Sequence, residues 1–163
     1  MARKVFFSFH YERDVWRANQ VRHSWVTKPD RQTAGFIDAA AFEEVKKRGD
    51  IAVKRWIDEQ LIGTSVTVVL IGTETSNREY VKYELEQSWK KRNGILAIYI
   101  HQKKDLNGKT DMKGNNSFGD IFKSVSDDKK YFFERFLTYD WVDNDGYNNL
   151  GNWVEVAAKQ AGK

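Results

Sequence analysis

The residue best placed to do chemistry is Glu84, in the stretch Asn77-Arg78-Glu79-Tyr80-Val81-Lys82-Tyr83-Glu84-Leu85. A largely aliphatic run, Ser65 to Ile71, precedes it, and Gly72 with the polar loop Thr73-Glu74-Thr75 separates the two. A run that apolar reads as a strand buried on both faces, and Gly72 ends it. Ser76, followed three residues later by Glu79, predicts an N-cap with a capping box, so a helix starts there. Val81, Leu85, Ser88 and Trp89 form its buried stripe, with Tyr80, Glu84 and Gln87 on a neighbouring face. Glu84 is therefore expected half-exposed in the second turn of a helix that opens beyond the carboxyl end of a central strand, where open parallel sheets bind ligands. A carboxylate on a charged helix is by itself usually a solvated residue, so position alone marks Glu84 only as a candidate.

Composition removes several other chemistries. Cysteine is absent, which excludes a cysteine nucleophile, a thiolate zinc site and a disulfide framework, and points to a reducing compartment. His10, His23 and His101 are too scattered for a metal cluster, so no metal is expected. Gly72 belongs to no dinucleotide Gly-rich fingerprint and no P-loop lysine motif occurs, so dehydrogenase and kinase readings fail. The net charge is +4, but Lys and Arg alternate with Asp and Glu, as in Glu43-Glu44-Val45-Lys46-Lys47-Arg48, which reads as a solvated face with no specific nucleic-acid partner. No segment reaches membrane-span length, and the apolar run after Met1-Ala2-Arg3-Lys4 is too short for a signal-peptide core. A cytoplasmic protein without a membrane partner is the expectation.

The elements that must position Glu84 follow from periodicity. Lys4-Val5-Phe6-Phe7-Ser8-Phe9 reads as a first buried strand ending at the polar turn His10 to Asp14. Val15, Ala18, Val21, Arg22 and Trp25 suit an amphipathic helix over Asp14 to Trp25, with Pro29 in the loop beyond. Gly35-Phe36-Ile37-Asp38 is an edge-strand candidate with Asp38 at its carboxyl end. Asp50 is expected to cap a second helix carrying Val53, Trp56, Ile57 and Leu61, with Gly63 as stop signal. Asn93-Gly94 turns the chain into a further buried strand, Ile95 to Ile100. His101 to Lys130 is polar and glycine-rich, an irregular insertion or lid expected to fold partly over the carboxyl-end pocket with Asn115, Asn116 or Phe118 near a ligand. Tyr131 to Leu137 reads as a short strand or helix, Thr138 to Trp141 as a last edge strand, and Leu150, Trp153, Val154, Ala157 and Ala161 as a closing amphipathic helix. With 163 residues, 40% of them hydrophobic, the chain reads as one domain: core 1–100, insertion 101–130, last strand and helix 131–163. The alternation predicts α/β architecture, a doubly wound parallel sheet with helices on both faces.

Three stretches carry a family resemblance: Val5-Phe6-Phe7-Ser8-Phe9-His10, Val68 to Thr75, and Asn77 to Leu85. Together they resemble the TIR domain, and more closely the ThsB-type TIR-like proteins of the bacterial Thoeris anti-phage defence system. The aromatic residue four before a Glu-Leu pair, here Tyr80 before Glu84-Leu85, is the most recognisable element, although the family usually has Trp there. Similarity is strongest over Lys4 to Ile100, and Lys113 to Phe118 resembles a later stretch of the same proteins. The resemblance implies a flavodoxin-like sheet of order 2-1-3-4-5. It also implies NAD as substrate, with no separate cofactor, and a helix glutamate that assists cleavage of the nicotinamide-ribose bond, after which ADP-ribose is cyclised into a signal. Carried over, Glu84 is the catalytic carboxylate. Phe6, Ser8, Phe9 and His10 border the pocket, with Ile71 and Gly72 beside them, and Tyr80, Asp38, Asn115 and Asn116 complete the substrate-binding set.

The chemistry is consistent with one carboxylate. Nicotinamide leaves as a neutral molecule and needs no acid; the demand is to hold positive charge developing on the ribose. Water exclusion then decides between cyclisation and hydrolysis. The alternation of Phe6, Phe7 and Phe9 makes most of them core residues, with Phe9 and His10 nearest a ligand, and Asp38 equally suits the polar end of a strand. Three functions stay open: a NAD-consuming cyclase, a non-catalytic TIR adaptor working by homotypic contacts, and a relative of the nucleoside deoxyribosyltransferases. The first implies an effector protein reached through a diffusible cyclic nucleotide, a phage-derived trigger and a homo-oligomer as partners.

Overall fold

Apolar runs bounded by polar turns become the inner strands of a five-stranded sheet, here in a computed structural model that describes residues 3–35, 39–116 and 137–163. The strands are β1 Arg3–Ser8, β2 Arg31–Ala34, β3 Val66–Ile71, β4 Gly94–Tyr99 and β5 Leu137–Asp140. All pairings are parallel, in the order β2-β1-β3-β4-β5. The three strands predicted as buried are thus the three inner ones. Every residue of β3 is buried, as a strand covered on both faces requires. The helices are α1 Val15–Val26, α2 Ala39–Lys46, α3 Asp50–Leu61, α4 Glu79–Lys90 and α5 Gly146–Gln160. α4 packs on β1, β3, β4 and α3, while α5 packs on β3, β4, β5 and α1.

The two sides of the sheet follow from register. Phe6 pairs with Thr67 and Ser8 with Val69, so these positions share a face. Val69, Ile71, Ile95 and Ala97 meet Val81 and Leu85 of α4 in one apolar cluster, whereas Val5, Phe7, Val66, Val68 and Leu70 join the larger core with α1 and α5. Burying a side chain of this size contributes roughly 1.5–3 kcal/mol, and the period of two sends successive residues to opposite layers.

Local chemistry changes three expectations. The edge strand expected over Gly35–Asp38 forms upstream as β2, a polar segment held by its pairing with β1; Gly35 bends out of it and Phe36 to Asp38 lie outside the described residues. The charged stretch from Glu43 keeps the solvated face expected of it, as the outer side of α2, which buries Phe42 beneath. Asp50 does not cap α3: Gly49 holds that position, and the Asp50 carboxylate pairs with Lys54 at 3.1 Å and accepts from the Tyr80 hydroxyl at 3.0 Å. The capping box at Ser76 and Glu79 is also absent. Thr75–Asn77 is a separate 3-10 turn, drawn inward because the Thr75 hydroxyl accepts from Gly72 N–H at 2.8 Å, and α4 begins after the extended Arg78 without a side-chain cap. The stretch from Phe118 to Lys130, with the segment Tyr131 to Phe136, lies outside the described residues.

Candidate active site

Glu84 is fully buried, 0% exposed, and not half-exposed as helical position alone suggested. α4 lies against β1, so the face next to its aliphatic stripe is covered by Ser8 and by Tyr11 in the loop after β1. The Tyr11 hydroxyl donates to Glu84 Oε1. Glu84 Oε2 and Ser8 Oγ are both buried without a hydrogen-bond partner. Burial pushes the Glu84 carboxyl well above the usual range, and the Tyr11 hydroxyl holds the rise back. Tyr11 is itself pushed well up, chiefly by burial and then by the carboxylate beside it.

A chain of aromatic rings closes over this pair. Phe9 meets Tyr11 edge-on with centroids 4.9 Å apart, Tyr11 meets Phe42 of α2 at 4.9 Å, and Phe42 meets Tyr80 of α4 at 5.7 Å. These are favourable edge-to-face and tilted separations. Neither Tyr11 nor Phe42 was legible as a site residue, because the first sits in a polar turn and the second in an Ala-rich, charged segment. Phe6, Ser8, Phe9 and Ile71 are all fully buried; Ser8 stands beside the carboxylate, and Ile71 packs with Val81 and Leu85 beneath α4. His10 is nearly buried: its Nδ1 accepts the Arg13 backbone N–H at 3.3 Å, which leaves the proton on Nε2, 3.7 Å from Glu74. Burial and the nearby Arg78 lower its pKa, so the ring is neutral near pH 7.

Gly72 sits elsewhere in the design. Any side chain there would strike the Asp14 carboxylate, and one at Gly114 would strike the Gly72 carbonyl. Segment 111–116 is thereby laid across the carboxyl ends of three strands. Thr73 donates to the Met112 carbonyl at 2.6 Å, Lys113 Nζ lies 4.4 Å from the Tyr99 ring centroid, and Asn116 Nδ2 donates to Thr138 Oγ1 at 3.2 Å. Arg13 holds the near end through Asp111 at 2.7 Å. Asn115 is exposed and Asn116 bonds to β5, so neither is among the recorded contacts of Glu84. Asp38 lies outside the described residues.

Asp14 is the second buried carboxylate. It is 0% exposed, with neither oxygen hydrogen-bonded and Arg17 Nη1 3.9 Å away. Burial raises its pKa from 3.8 to about 6, against the pull of Arg17 and Arg13. Because the folded value exceeds the unfolded one, the fold favours the neutral acid. That contribution is fully present below pH 3.8 and is lost as pH rises through about 6. Asp14→Asn is therefore expected to unfold at higher urea than wild type above pH 7, by up to ~3 kcal/mol, with the difference vanishing toward pH 4. A difference that does not change between pH 4.5 and 8 would disprove the assignment.

Two comparisons bear on the site. The family profile of the Thoeris protein ThsB, TIR-like domain, matches residues 6–105, which span β1 through β4 and include Glu84. A protein of Bacillus cereus (strain MSX-D12), named "Putative cyclic ADP-D-ribose synthase ThsB1", is 38% identical over 191 aligned residues, covering 94% of this chain and all of that relative.

Proposed function

The chain belongs to the TIR-like family of Thoeris ThsB proteins, and from that premise we propose that it consumes NAD, breaking the nicotinamide-ribose bond and closing ADP-ribose into a cyclic signalling nucleotide. The observation that carries this reading is the buried carboxylate of Glu84, enclosed by aromatic rings where β1 and β3 end. A carboxylate in a dry, apolar box stabilises a cation strongly, since little solvent screens it. NAD also supplies what Glu84 lacks: its nicotinamide ring is positively charged, and a nearby positive charge lowers a carboxylate pKa by 1–3 units. Bound substrate thus ionises the group that its own transition state needs.

The carbon–nitrogen bond breaks with both electrons going to nicotinamide, and the oxocarbenium-like ribose is held by Glu84. In a pocket that excludes water, a nucleophile of the ADP-ribose itself is captured and the ring closes. No electrons leave the substrate, so no cofactor enters the proposal. The released nucleotide is read by a separate effector protein. A phage-derived trigger and homo-oligomeric assembly belong to the same proposal, because Glu84 is fully buried and must become accessible before NAD can reach it.

In the closed site the Tyr11 hydroxyl occupies the acceptor that a ribose hydroxyl needs. Losing that bond, worth about 1 kcal/mol, favours the open state about fivefold. Tyr11→Phe is expected to raise nicotinamide release without trigger by about that factor at pH 8.5; equal loss of resting and triggered turnover would show that Tyr11 aids the reaction and does not restrain it. The proposal as a whole is tested by incubating purified protein with NAD under triggering conditions and resolving nicotinamide, ADP-ribose and cyclic product by mass and retention. Inert NAD would favour the adaptor role, and nucleobase exchange on deoxynucleosides the transferase one.

A further inference from the structure

On the side of the sheet that carries α1 and α5, a cavity of about 390 Å³ opens between the end of α1, the first residue of β2 and the first half of α5. Arg31 forms its floor. The guanidinium carbon lies over Trp25, 4.2 Å from the ring centroid, and that ring is itself fixed by the indole N–H donating to the Gln32 carbonyl at 3.1 Å. On its other side is Gly151 of α5, where any Cβ would collide with Arg31 Nη2. Arg31 is thus clamped between an indole and a helix backbone, which removes most of the rotamer freedom that binding would otherwise cost.

Among the described residues the guanidinium makes no hydrogen bond and no ion pair, although Glu155 lines the same cavity. The nearest acid, Glu155, is engaged by Arg3 through two contacts, 2.9 and 3.2 Å. Burial lowers the Arg31 pKa, and Glu155 offsets this only in part. Lys28, on the same wall, forms no ion pair among the described residues. A fixed, partly desolvated guanidinium with free donors beside a lysine is built for a phosphate or diphosphate, which accepts two parallel hydrogen bonds. At the rim stands Tyr147, 74% exposed, a free ring on which a base can stack, and the Asn152 side chain also lines the cavity.

We propose that this cavity is a second nucleotide site, separate from Glu84, that binds the diphosphate of an adenine nucleotide through Arg31 and Lys28 with the base against Tyr147. The phosphate chemistry stands on the cavity itself, and the choice of nucleotide rests on the NAD-consuming reading. NAD and the cyclic product share that diphosphate, so the site senses either substrate supply or product accumulation.

The test is calorimetric titration of Glu84→Gln protein, expected to turn NAD over at least about a hundredfold more slowly, with inorganic pyrophosphate, NAD and cyclic ADP-ribose. Pyrophosphate is expected to bind at one site, more weakly at higher salt, and to be displaced by at least one of the nucleotides; which one displaces it identifies the source. Arg31→Gln should weaken binding at least tenfold. Lys28→Gln, which leaves the Trp25 stack intact, should weaken it severalfold with an unchanged melting temperature, and so guards against misfolding of the Arg31 variant. Equal pyrophosphate affinity in parent and both variants would overturn the site, and binding that neither nucleotide displaces would overturn the nucleotide assignment. Arg31-dependent displacement by NAD in a protein whose wild type releases no nicotinamide would uphold the site while removing the catalytic reading.

Discussion

Glu84→Gln is expected to cut nicotinamide release from NAD by at least about a hundredfold without lowering the melting temperature. Glutamine keeps the side chain's length, its helix propensity and an Oε1 acceptor for the Tyr11 hydroxyl, so the cage of Phe9, Tyr11, Phe42 and Tyr80 stays packed. What disappears is the charge. If the carboxylate stabilises a cationic ribose in a site screened from water, its loss costs on the order of 3 kcal/mol, the scale found for one electrostatic stabiliser in a preorganised site. Stability moves the other way. The fold disfavours the ionised form of Glu84, so a neutral isostere is unchanged or more stable at neutral pH. Nicotinamide release and thermal melting, measured together under activating conditions, decide the matter. A variant as active as an active wild type would remove Glu84 from the mechanism. A variant that is inactive because it has unfolded would show that burial of the carboxylate is structural.

Gly72→Ala is expected to destabilise the protein by roughly 1–3 kcal/mol, the range for forcing atoms into a filled interior. The added methyl has nowhere to go. It points at the carboxylate of Asp14, which is itself fully buried and cannot swing into solvent. The Gly72 carbonyl is in turn pressed by Gly114, so backbone displacement would lift segment 111–116 from the strand ends and strain the Thr73–Met112 and Asn116–Thr138 bonds. Urea unfolding gives the stability change directly, and amide exchange at residues 111–116 reports whether the strap loosens. An alanine variant with wild-type urea midpoint and exchange would mean that Asp14 and the strap yield freely, against the packing described.

Periodicity along the chain was enough to determine the inner strands β1, β3 and β4, the stripe Val81-Leu85-Ser88 on α4, and the place of Glu84 beyond a strand end, because each depends on residues close in sequence repeating at intervals of two or about 3.6. The family likeness was legible for the same reason, in short contiguous stretches. Contacts between segments far apart in sequence decided the rest. β2 is polar and becomes a strand by lying against β1. The capping box at Ser76 gives way to a Thr75 hydroxyl already bound to Gly72. Asp14 does stand at the start of α1, but its side chain is a buried acid and not a cap, packed where Gly72 leaves room for it. Above all, helix geometry placed Glu84 on a face but could not say what would cover that face. Ser8 and Tyr11, more than seventy residues away along the chain, take it out of water, and its raised pKa follows from that burial, which no local pattern encodes.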